Sequence, residues 1–118
     1  MEAITTDVPY KIGGNVINNG LIENLPAEAC VEVACLVNRN GIQPCRQGRL
    51  PLQLAAMNMT MINVQLLTIE AAVTHKKDCI YQAAMLDPHV SSELSIDDTV
   101  RLVDALLEAH GNWLPAYH

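Results

Sequence analysis

From Leu50 to Thr74 the chain reads LPLQLAAMNMTMINVQLLTIEAAVT. Pro51 suits the first turn of a helix, where its missing N–H leaves nothing unpaired. The 23 residues after it include no Gly and no Pro. Ala55, Met59, Ile62, Leu66, Ile69 and Val73 recur at alternating spacings of four and three, which makes one stripe on a helix. The other side carries Met57, Met61, Val64 and Ala71, and Glu70 is the only charge. A helix apolar nearly all round is predicted to be buried, wrapped by its own chain or by a partner. Gln53, Asn58, Asn63, Gln65 and Glu70 would lie in hydrocarbon if it crossed a membrane, which sets that use aside.

Upstream, the pattern changes to strand. Cys30 to Val37, CVEVACLV, is rich in β-branched residues, and Val31, Val33, Cys35 and Val37 share one face. Asn38-Arg39-Asn40-Gly41 is a turn. Ile42-Gln43 resumes an extended segment, and Pro44 places it at a sheet edge. Val16-Ile17 and Leu21-Ile22 flank Asn18-Asn19-Gly20, a hairpin signal or a bulge in one longer strand. Asp7-Val8-Pro9-Tyr10 leads into Gly13-Gly14, expected as a flexible joint, and Met1 to Ile4 read as the last turn of a preceding helix. Two or three antiparallel strands follow.

Downstream, His75-Lys76-Lys77-Asp78 breaks the apolar pattern. Cys79, Ile80, Ala83, Ala84 and Leu86 predict a short second helix stopped at Asp87-Pro88. Ser95 is placed as an N-cap, with Asp97 and Asp98 in the first turn of a third helix. Ile96, Val100, Val103, Leu106, Leu107 and His110 line one face of it, and Gly111 ends it. Trp113-Leu114-Pro115 is an apolar tail that needs a surface.

At 118 residues the chain suits one small domain. Half of it is hydrophobic, yet Phe is absent, so the core is aliphatic with Met as filler. The net charge of −6 opposes a nucleic-acid or anionic-membrane partner, since both demand a basic face. The N-terminus lacks the basic start and apolar run of a signal peptide, so a cytoplasmic location is expected. Cys30, Cys35, Cys45 and Cys79 include no C-x-x-C pair and are expected as free thiols, with a Cys/His metal site as a lesser alternative.

No nucleophile elbow, P-loop, G-x-G-x-x-G or H-E-x-x-H occurs. His75, His89, His110 and His118 read as surface or cap residues. Arg39, Arg46 and Arg49 cluster around the second turn, as a solvated loop or as an anion or subunit contact. Asn15, Asn18 and Asn19 serve turn geometry or hydrogen-bond sugar hydroxyls. Gln53, Asn58, Asn63 and Gln65 must find partners if buried, within the domain, across a subunit contact or in a polar ligand pocket. The alternating Met57, Met59 and Met61 read as core packing. No catalytic constellation emerges, so the chain reads as a supporting part of a larger machine.

Gly14-Asn15-Val16-Ile17-Asn18-Asn19-Gly20-Leu21-Ile22-Glu23-Asn24-Leu25-Pro26 resembles the segment that opens the C-terminal part of the NAD-dependent glycosidases of glycoside hydrolase family 4. The resemblance continues through Val31 to Val37, Gly41 to Pro44, Leu54 to Asn58, Ile62 to Gln65, Tyr81 to His89 and Ala109 to Pro115. It covers Gly14 to Pro115 and is nearest the melibiase-type α-galactosidases. It implies a route apart from two-carboxylate hydrolysis. NAD⁺ oxidises the sugar at C3, Mn²⁺ polarises the carbonyl, a base removes the C2 proton and the glycosidic oxygen leaves by elimination. The family's Gly-rich cofactor loop, metal ligands and acid/base residues have no counterpart in this sequence, so no catalytic, cofactor or metal residue is carried over.

The resemblance therefore implies an α+β fold: a small antiparallel sheet, one long buried helix and two shorter helices, forming a C-terminal fragment of a larger α/β enzyme. Residues 1–13 are expected to be the remnant of a preceding helix and a joint, and 14–118 the family 4 C-terminal domain. The implied partners are a missing N-terminal cofactor domain, further copies in a homo-oligomer and, in the intact enzyme only, a small sugar. NAD and Mn²⁺ belong to the full-length enzyme, with none expected on the fragment alone. Asn15, Asn18 and Asn58 are the residues expected nearest the sugar. The fragment alone is expected to be inactive and not a clean monomer. The alternative is a stand-alone oligomeric interaction module without catalysis.

Overall fold

A computed structural model describes residues 1–118, which form two compact units, Met1–Ala55 and Ala56–His118. The first opens with a short helix α1 (Glu2–Thr6), ended by Asp7 in the left-handed region at φ 61°. Strands β1 (Tyr10–Ile17), β2 (Cys30–Asn38) and β3 (Gly41–Pro44) follow. They make one antiparallel sheet in the order β1-β2-β3, with Tyr10 opposite Val37 and Ile17 opposite Cys30.

β2 is the central strand, as its β-branched alternation requires. Val31, Val33, Cys35 and Val37 are buried, while Cys30, Glu32 and Leu36 face out. Asn38 pairs with Gly41 across a tight turn, and Gly41 takes φ +94°. Pro44 ends an edge strand, where its missing N–H breaks no ladder.

Two expectations upstream of β2 are corrected. Gly13 and Gly14 are paired strand residues facing Ala34 and Val33, not a flexible joint. The strand needs glycine there because the neighbours occupy the side-chain space: a Cβ on Gly13 would lie 2.7 Å from Glu32 Oε1, and one on Gly14 2.9 Å from Cys35 Sγ. Nor do Leu21-Ile22 turn back on Val16-Ile17 as a hairpin. β1 stops at Ile17, and Ile22 instead bridges Gly48 in parallel. Glu23 N–H donates to Gly48 C=O at 2.9 Å, and Gln47 N–H to Leu21 C=O at 2.8 Å. Local turn chemistry lost to pairing with a segment far along the chain.

Helix α2 (Leu52–Thr74) begins at the end of the first unit and runs into the second. Helices α3 (Lys77–Leu86), α4 (Pro88–Glu93) and α5 (Ile96–His110) follow, then a single 3₁₀ turn over Gly111–Trp113. α4 is additional to the three helices expected. Asp87 stops α3 and caps α4, its Oδ1 accepting from His89 N–H and Val90 N–H, with Pro88 at the first helical position. The same residues thus serve as stop and start.

α2 has the expected span, but this chain leaves it open. Only Ala55, Ile62 and Ala71 are buried along it, while Met57 is 69% exposed and Met61 44%. The methionines read as core packing are surface residues here, and Gln53, Asn58, Asn63 and Gln65 are all exposed. The helix is long and apolar enough to cross a membrane by composition, yet its amides and Glu70 would be costly in lipid. In the second unit Cys79, Ala83, Thr99 and Val103 are buried between α3 and α5, whereas Ile96 and Leu106 on the expected α5 face are open. Trp113 is 92% exposed, so the tail lies on no surface of this chain.

Cutting the contact at Gly14 tests the sheet. Gly14→Ala should cost about 2 kcal/mol in urea unfolding through overpacking against Cys35, and markedly less in a Cys35→Ala background. The α5 cap gives a pH signature. Ser95 Oγ accepts from Asp98 N–H at 3.2 Å and donates to the Asp98 carboxylate, which also pairs with Arg101. The Ser95 hydroxyl first, and Arg101 second, hold the Asp98 carboxyl below its usual 3.8. A lowered folded pKa adds stability above the unfolded pKa that is lost as pH falls through the folded one. Ser95→Ala should therefore lower the melting temperature at neutral pH, with the difference closing in acid.

Candidate functional site

The connection from β1 to β2, residues 18–29, is built on one side chain. Asn18 is fully buried. Its Nδ2 donates to the carbonyls of Ile22 at 2.9 Å, Leu25 at 3.0 Å and Pro26 at 3.0 Å, and its Oδ1 accepts from Ile22 N–H at 2.7 Å. Backbone groups in a buried loop must be paired, and Asn18 pairs four of them. Its amide keeps no capacity for a sugar hydroxyl. Asn24 makes a second clamp, donating to Leu50 C=O at 3.0 Å and accepting from Leu50 N–H at 2.9 Å. This reciprocal pair fixes the chain just before α2. Sequence reading overlooked Asn24, because a bond spanning 26 residues leaves no local pattern.

The remaining amides differ. Asn15 lies on the open face of β1, exposed and opposite Glu32. Asn58 is exposed on α2. Asn15 and Asn18 stand three positions apart at the end of one strand, but Asn18 turns inward and Asn15 outward.

The arginines are surface residues. Arg46 pairs with Glu23 at 2.8 Å and ties the connection to the stretch after β3. Arg39 stands 3.9 Å from Asp7, and its N–H donates to Asp7 Oδ1 at 3.1 Å. Pairs this exposed add little stability. In the second unit Lys77 stands 3.8 Å from Asp104 and over the Tyr81 ring, and Tyr81 donates to Asp104. Tyr81 first, and Asp104 second, hold the Lys77 ammonium above its usual 10.5.

The second unit also carries an open apolar groove of about 480 Å³, with Val64, Ala71, Ile80, Ala83, Val103 and Leu107 among its lining. Its walls offer few partners for hydroxyls, which a sugar site requires. No three His, Cys, Asp or Glu side chains converge as a metal-binding group. Cys35 and Cys79 are buried and Cys30 and Cys45 exposed, all as free thiols. The only adjacent glycines lie inside a paired strand, not between a strand and a helix. The residues present therefore do not fit a dinucleotide or a divalent metal.

Such an α+β chain, with a mostly open apolar helix and no converging reactive groups, is a supporting domain. The sequence model of the family 4 glycosyl hydrolase C-terminal domain matches residues 1–90. The chain belongs to this family, as its C-terminal domain. It is 59% identical over 117 residues to an α-galactosidase of Bacillus subtilis, covering 99% of this chain and 27% of that protein. Its fold superposes on a 6-phospho-α-glucosidase from gut microorganisms, solved with NAD and glucose-6-phosphate, with TM-score 0.86 and 26% identity. That match covers 99% of this chain and 26% of the other. The 6-phospho-β-glucosidase of Thermotoga maritima, solved with manganese, NAD⁺ and glucose-6-phosphate, gives 0.80 at 25% identity, covering 97% and 27%. The chain thus spans about a quarter of the length of these relatives. NAD and Mn²⁺ are cofactors of the full-length enzymes.

The two asparagines of the first unit should separate on substitution. Asn18→Ala should lower stability by about 3 kcal/mol, because three carbonyls and an N–H lose their partner in a buried loop. Asn15→Ala should change it by no more than about 0.5 kcal/mol. Urea unfolding followed by circular dichroism measures both.

Proposed function

We propose that this chain is the C-terminal structural part of an NAD- and Mn²⁺-dependent α-galactosidase, cytoplasmic, acting on a small α-galactoside. The observation that carries this is 59% identity to an α-galactosidase along 99% of the chain. The cofactors and the bond-cleaving groups belong to the N-terminal part, since the donor set here fits neither. This part supports the wall of the sugar site, with Asn15 and Asn58 as the amides free to face it. Asn18 acts behind them by holding the connection between β1 and β2 in shape. Contacts between copies in the intact enzyme also fall to this part, whose apolar helix is left open.

The division of labour has two arms to test. Supplied with NAD⁺, Mn²⁺ and a nitrophenyl α-galactoside, the 118-residue chain alone should show no turnover. A chimera, in which this chain replaces the matched 117 residues of the B. subtilis enzyme, should cleave that substrate within about tenfold of the parent. Turnover by the chain alone, or a folded but inactive chimera, would overturn the proposal.

A further inference from the structure

We infer that the α2 surface carrying Met57, Met61 and Ile69 is the seat of the enzyme's N-terminal part. This rests on the preceding reading that the chain completes a family 4 enzyme. At 3.6 residues per turn these three side chains fall within one arc of about 120°. They are 69%, 44% and 57% exposed. Ala72 and Thr68 lie in the same arc, and no charge does. The single charge on the helix, Glu70, points elsewhere and pairs with Lys76 at 3.3 Å, which marks the solvent side.

The occupant follows from length and chemistry. The matched portion is 27% of the B. subtilis relative, so nearly three quarters of such a polypeptide must pack against this quarter or leave it alone. An uncharged helix face of this width is what a permanent intramolecular contact uses. Asn58 and Gln65 stand within the arc with no side-chain hydrogen bond to this chain, and protein backbone can pair such amides where lipid cannot.

The native methionines report the contact directly. Dilute hydrogen peroxide oxidises accessible thioethers to sulfoxides, and mass spectrometry reads each site. In the isolated chain, Met57 and Met61 should oxidise at close to the rate measured after denaturation. In the chimera with the B. subtilis N-terminal part they should be protected by about tenfold or more, as desolvated side chains at the centre of an interface are. Free oxidation of both in the chimera would overturn the inference, even if the chimera is active. Equal protection in the isolated chain and the chimera would also overturn it, since a second copy would then be the occupant. Protection in a chimera that lacks activity would uphold the seat while the proposed activity fails.

Discussion

Twenty-three residues of helix carry one charge, and in this chain three of them are buried. That imbalance governs the rest. Burying apolar side chains is the main favourable term in folding, and a surface helix ordinarily spends one face on it and gives the other to water. α2 has no such division, so its stripe cannot be assigned to one partner element. A chain built this way has unfinished surface by composition. Membership in a family whose full-length enzymes are about four times as long supplies the physical reason.

The first unit finishes its own interior by a different device. Its strands bury one face, and the glycines of β1 let Glu32 and Cys35 of the neighbouring strand lie against the backbone. The connection between the first two strands is irregular and partly buried, so its backbone groups need partners that no ladder supplies. Asn18 provides them at its start, and Asn24 provides another pair where the chain leaves for α2. Amides that resemble ligand contacts in a sequence thus include one wholly spent on structure. Polar residue type says that a hydrogen bond will be made, but only the fold says with what.

The absence of a converging reactive group gains meaning from the family. Thiols, imidazoles and carboxylates are present in the chain, but they are spread over separate elements and do not form a metal-sized group. The groove of the second unit is apolar. Chemistry in such an enzyme is placed on one part of the polypeptide, and the remainder provides the rigid wall that keeps reacting groups in register. A domain in that role is under pressure to keep shape and contact surface, not nucleophiles.

Much of the secondary structure was legible in the chain itself, because it depends on neighbours a few positions away. The alternation of Val31, Val33, Cys35 and Val37 specified a strand and its buried face. Pro51 and the uninterrupted run after it specified α2, Ser95 the start of α5, and Gly111 its end. The segments from Gly14 to Pro115 carried the family. What tertiary structure alone decided were interactions between distant positions: the pairing of Ile22 with Gly48, the inward turn of Asn18, the Asn24 clamp on Leu50, and the glycine pair as strand rather than joint. The exposure of α2 belongs with these. Hydrophobicity dictates that such a helix needs cover, but whether the cover lies within the chain is a question of how much other surface the chain can bring to it, and three-dimensional packing settles that.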